Sequence, residues 1–136
     1  MPAVSLDLDL KRHRAALSQC RACGERVAGA IPIVSMARAP RVMLVGQAPG
    51  QVEKTDQRPF AGRAGKTLFK WLSAAGLTEE AAREQIYIAA ITRCYPGASA
   101  SGRGDRVPSP AEQKLCSRWL DAELARTSEI LWCGAR

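Results

Sequence analysis

Apolar residues along this chain fall into two kinds of pattern. In residues 41–46 (Arg41-Val42-Met43-Leu44-Val45-Gly46) and 86–91 (Ile86-Tyr87-Ile88-Ala89-Ala90-Ile91) they run almost without interruption. Runs this short, with no alternation, suit strands buried on both faces of a parallel sheet. Residues 130–134 repeat the pattern, so a third strand is expected there. Between the runs the spacing turns helical. Leu68, Leu72 and Ala75 share one face of a helix predicted over 64–75, with Gly76 as its stop. A shorter helix is predicted over 8–18, carrying Leu10 and Leu17. Ser109-Pro110-Ala111-Glu112 has capping-box spacing with proline at the first helical position. The helix it opens presents Cys116, Trp119, Leu120 and Leu124 on one side. Strand, helix, strand, helix, strand predicts the α/β class, a three-layer α/β/α sandwich around a short parallel sheet. Ligand crevices in such sheets open at the carboxyl ends of the strands. Here those ends are Gly46 onward, Thr92 to Pro96, and Gly134 onward.

Length and composition narrow the picture. At 136 residues one domain is expected over 1–136, since domains usually hold about 100–150 residues. With 46% hydrophobic and 24% charged residues the chain is ordinary globular material. No apolar run approaches the roughly 20 residues of a membrane helix. Asp7 and Asp9 among the N-terminal leucines do not fit a secretory leader. A cytoplasmic, soluble, monomeric protein is therefore expected. The net charge is +7, and 15 of the 20 cations are arginine. The excess is spread along the chain, so it fits either a polyanion partner such as nucleic acid or a solvated basic surface.

Three segments carry candidate chemistry. Cys20 and Cys23 form a CxxC, while Cys94 follows the second strand and Cys116 lies in the next helix. Four thiolates could hold zinc or an iron–sulfur cluster, or Cys94 and Cys116 could be small core residues. Cys133, inside an apolar run, reads as core. Gly46-Gln47-Ala48-Pro49-Gly50 directly follows the first strand. Its tight turn can aim backbone N–H groups at a ligand, yet it lacks the nucleotide P-loop and dinucleotide-binding patterns. Arg58-Pro59-Phe60-Ala61-Gly62-Arg63-Ala64-Gly65 sets an aromatic ring before a helix start, where it could stack on a base or staple the helix.

Taken in order, these segments resemble the iron–sulfur branch of the uracil-DNA glycosylase superfamily, its family four and family five enzymes. The likeness runs from Cys20 to Gly134: the CxxC, then Gly46 to Gly50 with Glu53, Pro59 to Gly62, Ile86 to Cys94, and Ser109 to Cys116. The resemblance implies a structural [4Fe–4S] cluster on Cys20, Cys23, Cys94 and Cys116. It implies DNA repair by hydrolysis of the N-glycosidic bond of a flipped deoxyuridine. Phe60 would stack on the base, Gly46, Ala48, Pro49 and Gly50 would line the pocket, and Gln47 would face the water. Arg63, Arg103 and Arg106 would approach DNA phosphates.

Departures from the family pattern shape the expectation further. Family four carries Glu where this chain has Gln47, and an amide orients water where a carboxylate can polarise it. The pyrimidine-reading Asn of that family stands here as Ala90, beside Ala89; family five also has alanine in this region. The Asp of family five at the position of Arg63 is replaced. Glu53 is the one acid retained near the loop, as a second catalytic candidate. Family members also carry a His-Pro-Ser segment after a fourth strand. The sole histidine here is His13, so the chain is expected to be C-terminally incomplete. Two alternatives accompany the enzyme: a catalytically impaired DNA-binding remnant that keeps the cluster, and a zinc-stabilised domain that binds a protein partner.

Overall fold

The computed structural model describes residues 3–24, 27, 29–38, 40–125 and 130–132, with side chains from residue 10 to 125. Eight elements follow in order: α1 (Ala3–Ser18), β1 (Val42–Gly46), α2 (Gln51–Asp56), α3 (Arg63–Ala74), α4 (Glu79–Gln85), β2 (Ile86–Ala90), α5 (Pro110–Leu124) and β3 (Ile130–Trp132). The three strands form a parallel sheet in the order β2-β1-β3. Val42 pairs with Ile86 and Gly46 with Ala90 on one side of β1; Met43 pairs with Ile130 on the other.

Both sheet faces are covered, which explains the uninterrupted apolar runs. Successive β1 residues point to opposite faces. Met43 and Val45 join Tyr87, Ala89 and Leu120, packed by Leu10 of α1 and Leu124 of α5. Leu44 joins Ile86, Ile88, Phe69 and Ala82, packed by Leu68, Leu72 and Leu77. Helices α1 and α5 therefore cover one face, and α3 and α4 the other. This is the three-layer α/β/α arrangement expected from the sequence. Residues 30–38 run along the outer edge of β2, where Ile88 N–H donates to Ser35 Oγ at 3.1 Å and Ile33 N–H to Arg93 O at 2.7 Å.

Local chemistry sets the element ends. Gly76, at φ +91°, closes α3: its N–H reaches Ser73 O at 3.0 Å and Leu77 N–H reaches Leu72 O at 2.9 Å. That double bond is a Schellman cap, with Leu77 tucked into the core. Ser109 and Glu112 form the expected reciprocal cap on α5. Elsewhere the structure is more regular than expected. The first helix starts at Ala3 rather than residue 8, and α2 interrupts the loop of 46–62. α4 was also not anticipated; Thr78 caps it and Glu79 and Glu80 fill its first turn. The stretch 95–107 folds back on itself, with an Ala98–Asp105 bridge and Arg106 N–H donating to Gly97 O at 2.8 Å. The third strand lies where expected, but Cys133 and Gly134 fall outside the described residues.

Candidate active site and thiol pocket

The glycine-proline loop leaves the carboxyl end of β1 beside that of β2. Ile91 N–H donates to Gly46 O at 3.0 Å and Thr92 N–H to Gln47 O at 3.1 Å, extending the strand ladder one step past Gly46. The backbone of Gln47 is thereby fixed while the residue stays exposed; Pro49 is buried, and Ala48, Gly50 and Ala90 are half-buried. Glu53, in the first turn of α2, ties two loops together. One carboxylate oxygen accepts from Gly50 N–H at 3.1 Å, the other from Gly62 N–H at 3.3 Å. A Cβ on Gly50 would stand 2.9 Å from Glu53 Oε2, so a side chain there would press on the carboxylate. Each oxygen takes one such bond, so Glu53 clamps the two loops together.

Phe60 sits opposite Gly46: a Cβ on that glycine would meet the ring at 3.7 Å. The Phe60 backbone is left-handed, at φ +51°, a conformation uncommon for a bulky residue. Two neighbours hold it there. Arg83 of α4 donates from Nη1 to Pro59 O at 2.7 Å and from Nη2 to Phe60 O at 3.1 Å. Its guanidinium lies over the Phe69 ring at 4.5 Å and pairs with Glu79 at 3.1 Å. Gly65 supplies the room, since a Cβ there would fall 1.8 Å from Phe60 O. Nothing in the local sequence around Phe60 signals Arg83, which lies more than twenty residues downstream. Asp105, also unanticipated, places a carboxylate oxygen 3.2 Å from the Cβ position of Gly50, and burial together with its charge raises the Tyr95 phenol above its ordinary value.

Among the three arginines expected at DNA, Arg63 and Arg103 are exposed, at the start of α3 and in the folded-back loop. Arg106 is engaged within the protein. Its guanidinium meets Glu112 through two bonds, at 3.1 and 2.8 Å, and its Nε donates to Pro96 O at 3.0 Å. This fork holds the 95–107 loop on the start of α5.

All four sequence-selected thiols line a single apolar pocket, with Leu17, Val27 and Pro32 among its walls. Cys20 and Cys23 come from the turn after α1, Cys94 from just beyond β2, and Cys116 from α5. The thiols sense one another. Burial, then the neighbouring thiols Cys116, Cys23 and Cys20, push Cys94 up to about 12. Burial likewise raises Cys116, against relief from Arg93. Cys20 differs: burial raises it, but the Ala22 backbone, Arg118 and Trp119 together bring it below the usual thiol value. Arg118 Nη2 stands 3.6 Å from its sulfur.

Such a donor set suits a cationic centre that neutralises several thiolates at once. Among the described residues, no three His, Cys, Asp or Glu side chains gather closely enough for one metal ion. A single tetrahedral zinc, with bonds of about 2.3 Å, would draw its sulfurs to within roughly 3.8 Å of each other. A polynuclear cluster spaces its ligands more widely, because each thiolate takes a different iron. Four thiols around one pocket supply the donors that either centre would use.

Beside this pocket lies a buried polar knot. Glu123 of α5, 3% exposed, accepts from Arg93, Tyr87 and His13 Nε2, the last at 2.9 Å. Arg93 Nε also donates to Ala90 O at 2.8 Å. The knot joins α1, β2, the Cys94 segment and α5. Burial raises the Glu123 carboxyl, but His13 and Arg93 bring it below its ordinary value. His13 also meets the Trp119 ring edge-on at 5.6 Å, a packing position.

A parallel sheet covered by helices on both faces, with a glycine-proline loop at the carboxyl end of its first strand and an aromatic ring against it, defines a three-layer α/β/α protein. The family model of the uracil DNA glycosylase superfamily matches residues 34–134, and the chain belongs to that family. It is 32% identical over 123 residues to a type-4 uracil-DNA glycosylase of Archaeoglobus fulgidus, covering 88% of this chain and 56% of that one. It is 36% identical over 84 residues to the type-4 enzyme of Thermotoga maritima (62% and 38% covered). To a type-5 uracil-DNA glycosylase of Thermus thermophilus it is 28% identical, with 84% and 62% covered. The chain thus spans about half the length of these curated relatives. Among the described residues no helix is long and apolar enough to cross a membrane.

Proposed function

We propose that this chain is the core of a single-domain DNA-repair glycosylase that removes uracil from DNA by hydrolysing the N-glycosidic bond of a flipped deoxyuridine. The observation that carries the reading is the Phe60 ring, held over Gly46 at the carboxyl end of β1 by Arg83 and Gly65. A flat ring fixed at the mouth of a backbone-lined crevice stacks on an extruded base. Gly46, Ala48, Pro49 and Gly50 would line the uracil pocket, with Ala90 across from Gly46 in the sheet. Gln47 orients the attacking water through its amide. Exposed Arg63 and Arg103 meet phosphates, which position the strand without reading its sequence.

Cys20, Cys23, Cys94 and Cys116 would hold a [4Fe–4S] cluster. When bound, the cluster supplies a covalent cross-link that pins the N-terminal turn and the segment after β2 to α5. The pocket lined by all four thiols supports this assignment, which the resemblance to the iron–sulfur branch implies. The expected setting is the cytoplasm and the expected partner uracil-containing DNA.

The test incubates anaerobically purified, iron-loaded protein with a single-uracil oligonucleotide and reads abasic sites by alkaline cleavage. Cleavage at uracil that falls at least tenfold in Phe60→Ala supports the reading. Equal cleavage by Phe60→Ala, or none by either protein, overturns the enzymatic part. A second reading has its own observation: Gln47 is an amide and each Glu53 oxygen takes a backbone bond. It makes the chain a DNA-binding relative without turnover, marked by salt-sensitive binding and no abasic product.

A further inference from the structure

Of all buried side-chain nitrogen and oxygen atoms among the described residues, two have no partner in good hydrogen-bond geometry, Thr92 Oγ1 and Trp119 Nε1, and the indole already stands near enough to Cys20 to lower its thiol. Buried polar groups are nearly always paired, so each such orphan calls for an explanation. Both residues line the pocket that the four thiols share. They come from different elements, Thr92 from the segment after β2 and Trp119 from α5, and converge on one hollow.

Neither is free to turn away. Thr92 is 5% exposed, and its backbone N–H is spent on Gln47 O. The Trp119 indole is wedged between the edge of His13, with ring centroids 5.6 Å apart, and the Arg118 guanidinium, 4.6 Å from its ring centre. His13 is itself anchored to Glu123. The indole nitrogen can only donate, and a threonine hydroxyl donates as readily as it accepts. Two buried donors on residues that line a thiol-lined, largely apolar cavity match an anionic sulfur acceptor.

We propose that Trp119 Nε1–H and Thr92 Oγ1–H donate hydrogen bonds to sulfur atoms of the cluster held by Cys20, Cys23, Cys94 and Cys116, and so set its reduction potential. The inference rests on the cofactor reading above. Donors to cluster sulfur stabilise the more negative, reduced state and raise the potential. Through Thr92, whose N–H grips Gln47 O, the cluster pocket also abuts the glycine-proline loop.

The experiment loads the full chain anaerobically with iron and sulfide and counts both per chain. Mediated spectroelectrochemical titration then follows the visible absorbance of the wild type, Thr92→Val, Thr92→Ser, Trp119→Phe and the double variant Thr92→Val with Trp119→Phe. Removing both donors together is expected to favour the oxidised cluster by about tenfold, a downward shift of about 59 mV for one electron. Thr92→Val alone should give part of that shift, and Thr92→Ser, which keeps the hydroxyl, should restore it. Loaded variants with the wild-type potential overturn the inference and leave the cofactor reading standing. A wild type that takes up no iron overturns both. If Trp119→Phe does not load, the near-isosteric Thr92→Val and Thr92→Ser pair decides alone.

Discussion

Phe60 occupies a left-handed backbone because two separate residues, Arg83 and Gly65, make that conformation favourable. Arg83 takes up the two carbonyls that the turn leaves open, and Gly65 removes the side chain that would collide with Phe60 O. A hydrogen bond to a charged donor contributes about 1.5–3 kcal/mol, so losing both should release the ring. Arg83→Met keeps the apolar stem and is expected to raise KM for uracil-containing DNA about tenfold with a smaller change in kcat, as one net charged bond predicts. Arg83→Lys, which returns one donor, should recover part of the loss. Steady-state kinetics on a single-uracil oligonucleotide separate these outcomes, and an unchanged KM in Arg83→Met would remove Arg83 from the positioning of Phe60. The phenylalanine itself could be singled out from Pro59 to Gly62. Its arginine could not, because the contact closes a loop of more than twenty residues and leaves no local pattern.

Helices and loops show a similar division. Capping chemistry is local, so the Ser109–Glu112 box and the Gly76 stop are readable in sequence and present in the fold. α2 was missed because its cap is a glycine, which signals a turn as readily as a helix start. The same helix gives Glu53 a role that sequence position alone leaves open. Its carboxylate joins the Gly50 and Gly62 backbones, so Glu53→Gln is expected to cost about 1–3 kcal/mol of stability in chemical denaturation. Any loss of glycosylase activity should then follow the loss of folded protein. A large drop in kcat at unchanged stability would instead make Glu53 the base.

At the scale of the whole molecule, the Glu123 knot and the surface charge give two expectations. Held below its ordinary value, Glu123 contributes stability that is present above the usual carboxylate range and lost as pH falls through the depressed folded value. Melting temperature should therefore hold near neutrality and drop below about pH 4.5, the ordinary value for this carboxyl. Glu123→Gln should flatten that acid limb while costing about 3–5 kcal/mol at pH 7, because Arg93 is left buried without its partner charge. An acid limb of unchanged shape in this variant would transfer the effect to other carboxyls. Binding of uracil-containing DNA by a chain of net charge +7 should weaken about tenfold or more between 50 and 200 mM salt, as two or three phosphate contacts predict. Fluorescence anisotropy across that range measures the slope, and a flat response would dissociate the arginine surface from DNA. The residues themselves determined the alternation of strand and helix, the doubly buried sheet and the two loop motifs, since hydrophobic period and turn chemistry act over a few neighbouring positions. Only tertiary folding decided that Cys94 and Cys116 meet Cys20 and Cys23, that Arg106 serves Glu112, and that Thr92 and Trp119 line the thiol pocket. Those meetings depend on where strand ends and helix faces come to lie once the apolar layers are packed, which no short stretch of sequence encodes.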